Sequence, residues 1–217
     1  MDLLSFARGP ALYWSLAILI FGMLWRLTGI LLQKRKPDFS EPRSTATWMG
    51  ALKLIVIRSW PHKEFASRTA FTVTVSYLFH IGLAIVVFGF LPHILFLKDV
   101  FGISWPNLPN SVIYFAGALT IGALIAVMVR RLVNPVLKLI SNFDDYFSWF
   151  VTITPVFTGL LAAAHLGARY ETLLAIHILS VELLFIWFPF GKLMHATLVF
   201  VSRGTTGALF ARKGAQL

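Results

Sequence analysis

The chain has 217 residues, 58% of them hydrophobic and only 13% charged, which excludes a soluble globule. In a bilayer core the backbone can bond only to itself, so its long uncharged stretches are expected to be helices. It contains no cysteine, which excludes thiolate-held Fe–S clusters, covalently attached haem, disulfides and a cysteine nucleophile within this chain.

The first apolar run, about residues 11–32, has no basic n-region or small-residue cleavage site before it and reads as a retained span, with Arg26 near its far end. Residues 33–68 then carry eight Lys/Arg. Within them, segment 45–68 mixes Trp48, Leu52, Leu54, Ile55 and Val56 with Lys53, Arg58 and Lys63. Two readings stand: an amphipathic helix on the membrane surface, or a docking face for a soluble redox subunit. A second span follows at about 69–97, with Pro92 inside it, and then a turn-rich connection over 98–111. The third span covers about 112–129, and three Lys/Arg occupy 130–148. A fourth span at about 149–167 and a fifth at about 173–201, containing Pro189, lead to a tail with three more basic residues.

The net charge of +10 is therefore concentrated in alternate connections; the others hold only Arg8, Lys98 and Arg169. This is the positive-inside pattern. It predicts an all-α integral membrane protein with five transmembrane helices, the N-terminus outside and the C-terminus cytoplasmic. The whole chain, 1–217, forms one domain in this reading, in contact with membrane lipid, and nucleic acid is not the partner that the charge implies. The expected location is the cytoplasmic membrane of a bacterium or archaeon.

The six histidines lie at 62, 80, 93, 165, 177 and 195. Ionisable groups inside spans point to function by default. His177 and His195 are eighteen residues apart, five turns of one helix or roughly 27 Å, so the fifth span is expected to present both on one face. On the second span, which runs the opposite way, His80 and His93 are thirteen residues apart, roughly 20 Å; His93 needs a kink at Pro92 to share a face with His80. Topology pairs His80 with His195 near one surface and His93 with His177 near the other. Two bis-histidine sites at opposite membrane faces are what two stacked b-type haems in a four-helix core require. His165, at the outer end of the fourth span, is the rival of His93 for the outer haem. Lys192 and Arg26 are either propionate partners or snorkelling cations. Glu182 is mid-span, either a neutral hydrogen-bonded carboxyl or part of a proton path or propionate contact. Gly82, Ala84, Gly89, Gly159 and Ala162 to Ala164 either clear space for a macrocycle or serve helix packing.

The runs Phe79-His80-Ile81-Gly82 and Phe188-Pro189-Phe190-Gly191-Lys192-Leu193-Met194-His195 resemble the cytochrome b (gamma) subunit of respiratory nitrate reductases, over most of the chain. The resemblance implies haem ligands on spans two and five, with His80 and His195 on the inner haem and His177 on the outer. It also implies quinol oxidation at the outer side and electron delivery to a cytoplasmic Fe–S subunit. That family has its second span-two histidine ten residues after the first; here that position is Phe90, and His93 follows three residues later. The departure suggests a relative found with heterodisulfide-reductase-like, sulfite-reduction or hydrogenase modules.

The expected function is electron transfer between menaquinone or ubiquinone and a cytoplasmic Fe–S-containing oxidoreductase partner, through two haem b groups. Expected quinone contacts are Lys98, Asp99, Trp105 and His165. The alternatives are a haem-bearing anchor without a quinone site and a proton-conducting transporter subunit.

Overall fold

A computed structural model describes residues 2–34 and 38–215, so Arg35 and Lys36 of the basic 33–68 stretch lie outside the described residues. Every regular element among the described residues is helical. Five helices are long and apolar enough to cross a membrane.

Helix α1 covers Leu3–Leu31. It starts eight residues before the expected span because Asp2 caps it, accepting from the Ser5 amide at 2.7 Å. Pro10 would interrupt an ordinary α-helix, and the chain accommodates it as a π-helical stretch, Ala7–Ala11. Helix α2 is Thr47–Ile57. Helix α3 is Ala66–Gly89, and α4, Leu91–Phe101, follows after a break at Phe90. The expected span 69–97 is thus two helices. Pro92 has no N–H for the carbonyl four residues back, and Phe90 adopts an extended conformation (φ −82°, ψ 127°).

Helix α5 is Asn110–Val133, α6 Pro135–Ile140 and α7 Phe143–Ala164. Asn142 and Asp145 form a capping box at the start of α7. Its other end is closed by His165 in the left-handed region at φ 55°, a conformation that a non-glycine residue adopts infrequently. Helix α8 is Tyr170–Trp187 and α9 is His195–Lys213.

The expected single helix over 173–201 is therefore corrected. Helix α8 ends at Trp187, just before Pro189; Gly191 is extended, a 3₁₀ turn spans Lys192–Met194, and α9 begins at His195. His177 and His195 do not stand five turns apart on one helix. The tail is not a loose basic extension either, since α9 carries it to Lys213.

The chain forms two compact units, each described separately. Residues 1–19 and 71–187 make the first. In it, Leu160 lies over Gly117, where a Cβ would sit 2.8 Å from its Cδ2. Thr120 covers Gly82. Tyr114 donates to the Ala163 carbonyl at 3.1 Å, and Trp149 Nε1 to that of Leu124 at 2.8 Å. A polar chain ties α5, α7 and α8 at one end. Trp187 Nε1 donates to Ser148 at 2.9 Å, Ser148 to Asp144 at 2.6 Å, and Arg131 pairs with Asp145 at 3.2 Å.

Residues 20–70 and 188–217 make the second unit. Here α2 packs along α9, with Gly50 against the Gly207 backbone and Ala211, and Leu54 buried. The expectation for 45–68 is corrected on this point. Its helix is confined to Thr47–Ile57, and its small-residue face is closed by α9, because two glycines let the backbones touch. Trp48, Leu52 and Val56 remain exposed on the other side. Arg212 and Lys213 hold the Asp38 carboxylate at 3.5 and 3.8 Å, and the Arg43 amide donates to the Arg212 carbonyl.

Candidate functional site

Pro92 has no N–H for the Phe88 carbonyl, and three carbonyls near the end of α3 accept from residues beyond the break. The Phe88 carbonyl accepts from Trp105 Nε1 at 2.6 Å, and the Gly89 carbonyl from the Leu108 amide at 2.9 Å. The Val86 carbonyl accepts from His93 Nδ1 at 3.0 Å. A main-chain acceptor thus aims the His93 imidazole back across the break. Pro92 has broken the helix rather than kinked it, and the His93 ring is placed by the hydrogen bond.

His177 is oriented from the opposite side by α7. Its Nδ1 donates to the Pro155 carbonyl at 3.0 Å. The carbonyl of a helical residue points towards the residue four positions on, which here is Gly159. With no side chain at Gly159, the imidazole reaches it: a Cβ there would sit 2.9 Å from His177 Cε1 and 3.1 Å from Nδ1. Thr158 Oγ1 lies 3.4 Å from the same Nδ1 and 3.1 Å from Ser180 Oγ. Gly159 therefore clears an imidazole, whereas Gly82 and Gly117 serve helix packing.

These two placements bring His93 and His177 together, their ring centroids 6.1 Å apart and their planes within 24° of parallel. Two imidazoles on one iron, with bonds of about 2 Å and about 1 Å from nitrogen to ring centre, stand about 6 Å apart. Both spend Nδ1 as a donor, so the neutral ring carries its lone pair on Nε2, the nitrogen a metal takes. The spacing and the donor chemistry fit a bis-histidine haem.

His80 and His195 show the same tautomer. His80 Nδ1 donates to the Ser76 carbonyl and His195 Nδ1 to that of Lys192, each at 2.7 Å. The other two histidines differ. His62 Nδ1 stands 3.9 Å from the Glu64 carboxylate, and His165 stacks on Tyr170 at 4.7 Å. Among the remaining expected contacts, Lys98, Asp99, Arg26 and Lys192 are exposed, Trp105 is bonded to the Phe88 carbonyl, and Glu182 is buried.

Sequence reasoning missed Val86, Pro155, Thr158 and Ser180, because two act through main-chain oxygen and two through common hydroxyls. The one legible signal was Pro155 four residues before Gly159, an open carbonyl facing a span that carries a histidine. Among the described residues no three His, Asp or Glu side chains converge as a metal site, so the candidate is one with two protein ligands.

No family model matches the chain. A protein of Nitratidesulfovibrio vulgaris (strain Hildenborough), carrying only the name "Protein", is 33% identical over 214 residues, covering 96% of this chain and 94% of the relative.

Proposed function

The chain belongs to the family of that Nitratidesulfovibrio vulgaris protein, and for it we propose the role of a di-haem b-type cytochrome of the bacterial cytoplasmic membrane. It passes electrons between menaquinone or ubiquinone and an Fe–S-containing subunit on the cytoplasmic side. The observation that carries this reading is the His93–His177 pair, 6.1 Å apart with both Nδ1 atoms committed to carbonyls. His93 and His177 hold the outer haem. His80 and His195 hold the inner one, an assignment that rests on the topology of the sequence and on the resemblance at Phe79 to Gly82 and Phe188 to His195.

Haem b, when bound, supplies a one-electron carrier. The chain supplies everything else. Val86 and Pro155 fix the two ring planes through main-chain oxygens, so neither imidazole swings when its Nε2 is engaged. Gly159 gives the His177 ring its place beside α7. Both rings are half-buried. Positive charge in alternate connections orients the helices so that the His93–His177 pair lies towards the outside.

The test is spectroscopic. Purified in detergent from cells that supply haem, the chain shows a reduced-minus-oxidised b-type α-band, and added quinol reduces it. A colourless chain refutes the reading in favour of a transporter subunit. A haem band that quinol never reduces leaves a haem-bearing anchor.

A further inference from the structure

Glu182 lies in the middle of α8, five residues after His177 and rotated from it by about 140°, with a rise of roughly 7.5 Å. It therefore does not share the face on which His177 meets α7, and a contact to the same haem edge is not its role. It is 3% exposed, and its Oε1 is buried with no hydrogen-bond partner. Ala175, seven residues earlier on that side, is fully buried. Within this unit α8 packs against α7 and the start of α1, where the π-helical stretch surrounds Pro10 and Ala7 is fully buried.

The ionisable groups of those neighbours are otherwise engaged. On α7, Asp145 pairs with Arg131 and Asp144 accepts from Ser148. At the head of α1, Asp2 caps its own helix, and Arg8 and Tyr13 are exposed. At the ends of the α7–α8 connection, His165 stacks on Tyr170 and Arg169 faces Glu171 at 3.8 Å. Tyr146 is half-buried near the start of α7. None of these bonds Glu182. A carboxyl is thus held inside a membrane helix with no counter-charge from the side chains of these neighbours among the described residues.

We propose that Glu182 is an intramembrane proton site that binds one proton when an electron enters the His93–His177 site and gives it back when the electron leaves. The inference rests on the function proposed above. In the oxidised state the positive charge of the loaded His93–His177 site would balance the Glu182 carboxylate; electron entry cancels that charge and leaves the carboxylate unmatched in a low-dielectric core, where an unmatched charge is strongly disfavoured. Oxidation of a quinol to the quinone releases two electrons and two protons. For each electron taken, one proton forms an O–H bond at the Glu182 carboxylate, so the core gains no net charge. On reoxidation the O–H bond breaks and the proton leaves with the electron.

Redox-triggered infrared difference spectra test this on the full chain in lipid, recorded with the visible α-band, for wild type, Glu182→Gln and Glu182→Asp. On reduction a protonated-carboxyl C=O band grows in the wild type and moves in heavy water. It is absent in Glu182→Gln and shifted in Glu182→Asp, while the visible band persists in all three. A visible change with no carboxyl band, or a carboxyl band that survives in Glu182→Gln, overturns the proton site and leaves the cytochrome standing. Loss of the visible band from the wild type overturns the cytochrome reading and this inference with it. If neither variant folds, a wild-type spectrum in which no exchangeable protonated-carboxyl band grows on reduction still overturns the proton site.

Discussion

Replacing Gly159 by alanine drives a methyl group into the imidazole of His177. The new Cβ would sit 2.9 Å from Cε1 and 3.1 Å from Nδ1, whereas non-bonded carbon atoms rest at about 3.5–4.0 Å. The ring must retreat by more than about half an ångström. Its Nδ1 is 3.0 Å from the Pro155 carbonyl, and a contact stretched to about 3.6 Å is no longer a hydrogen bond. Overpacking costs about 1–3 kcal/mol and the lost hydrogen bond about 1 kcal/mol. A total of about 3 kcal/mol corresponds to a loss of roughly a hundredfold in affinity for the group held by His177. The assay is haem content per chain and the low-temperature α-band of the purified variant. Gly122→Ala is the control, because a Cβ there meets nothing within 4 Å; it keeps both haems and gains up to about 1 kcal/mol of helix propensity. If Gly159→Ala retains full occupancy and an unchanged spectrum, the clearance argument for the His177 site is refuted.

Three further outcomes follow from other parts of the chain. His93→Ala and His177→Ala each lose the same haem while the other survives, and His80→Ala and His195→Ala share loss of the second; variants of one pair that lose different haems refute the pairing. Gly207→Val pushes a side chain into the Gly50 backbone and the Leu54 Cβ at 2.8 Å, costing about 2 kcal/mol or more. It opens the α2–α9 pair to trypsin at Lys53 and Arg203, while Gly204→Ala, whose nearest contact is Ile55 at 3.8 Å, does not. The Ser40 hydroxyl and amide hold the Asp38 carboxyl below its usual value of 3.8, with smaller help from Lys213 and Arg212. A carboxyl lowered in the folded state stabilises above its unfolded value and loses that contribution as pH falls through the folded one. Protection of the Arg43 amide, corrected for intrinsic exchange, therefore falls below about pH 4 in the wild type. It is pH-independent in Asp38→Asn.

Hydropathy placed five helices close to where they lie, because length and the absence of charge are set by bilayer thickness whatever the tertiary contacts. The two long spans were misjudged for one reason. Pro92 is expected to kink a continuous helix and Pro189 to lie within one, yet each coincides with a stop. At Pro92 the carbonyls of Val86, Phe88 and Gly89 all find donors from residues beyond the break. At Pro189 the chain leaves the helix, passes through an extended Gly191 (φ −98°, ψ −175°) and a 3₁₀ turn, and α9 restarts at His195. Those donors come from far along the chain or from a loop, so no local pattern announces them. The meeting of His93 with His177 depends on them and was visible beforehand only as a matching of membrane depth. The α2–α9 pair was hidden for a similar reason: Gly50 and Gly207 are 157 residues apart, and a glycine contact leaves no apolar signature.

The nitrogen each histidine commits bears on which of them can serve as a ligand. A histidine that bonds a carbonyl one turn back on its own chain reaches it through Nδ1, as His80 and His195 do, whereas His93 and His177 reach carbonyls farther away. Here His80, His93, His177 and His195 all commit Nδ1 to a main-chain carbonyl, although the carbonyls belong to different places: Ser76, four residues back; Val86, seven back; Pro155 on another helix; and Lys192, three back. His62 and His165 lie off the proposed sites, one facing a carboxylate and the other stacked on an aromatic ring. At His93 and His177 the Nδ1 bonds select the tautomer whose Nε2 carries the lone pair, the nitrogen a metal takes. Nitrogen-15 spectra of the histidine-labelled chain prepared without haem check it at neutral pH. The four imidazoles are expected in the form protonated at Nδ1, and any of them found protonated at Nε2 instead is removed from the ligand set.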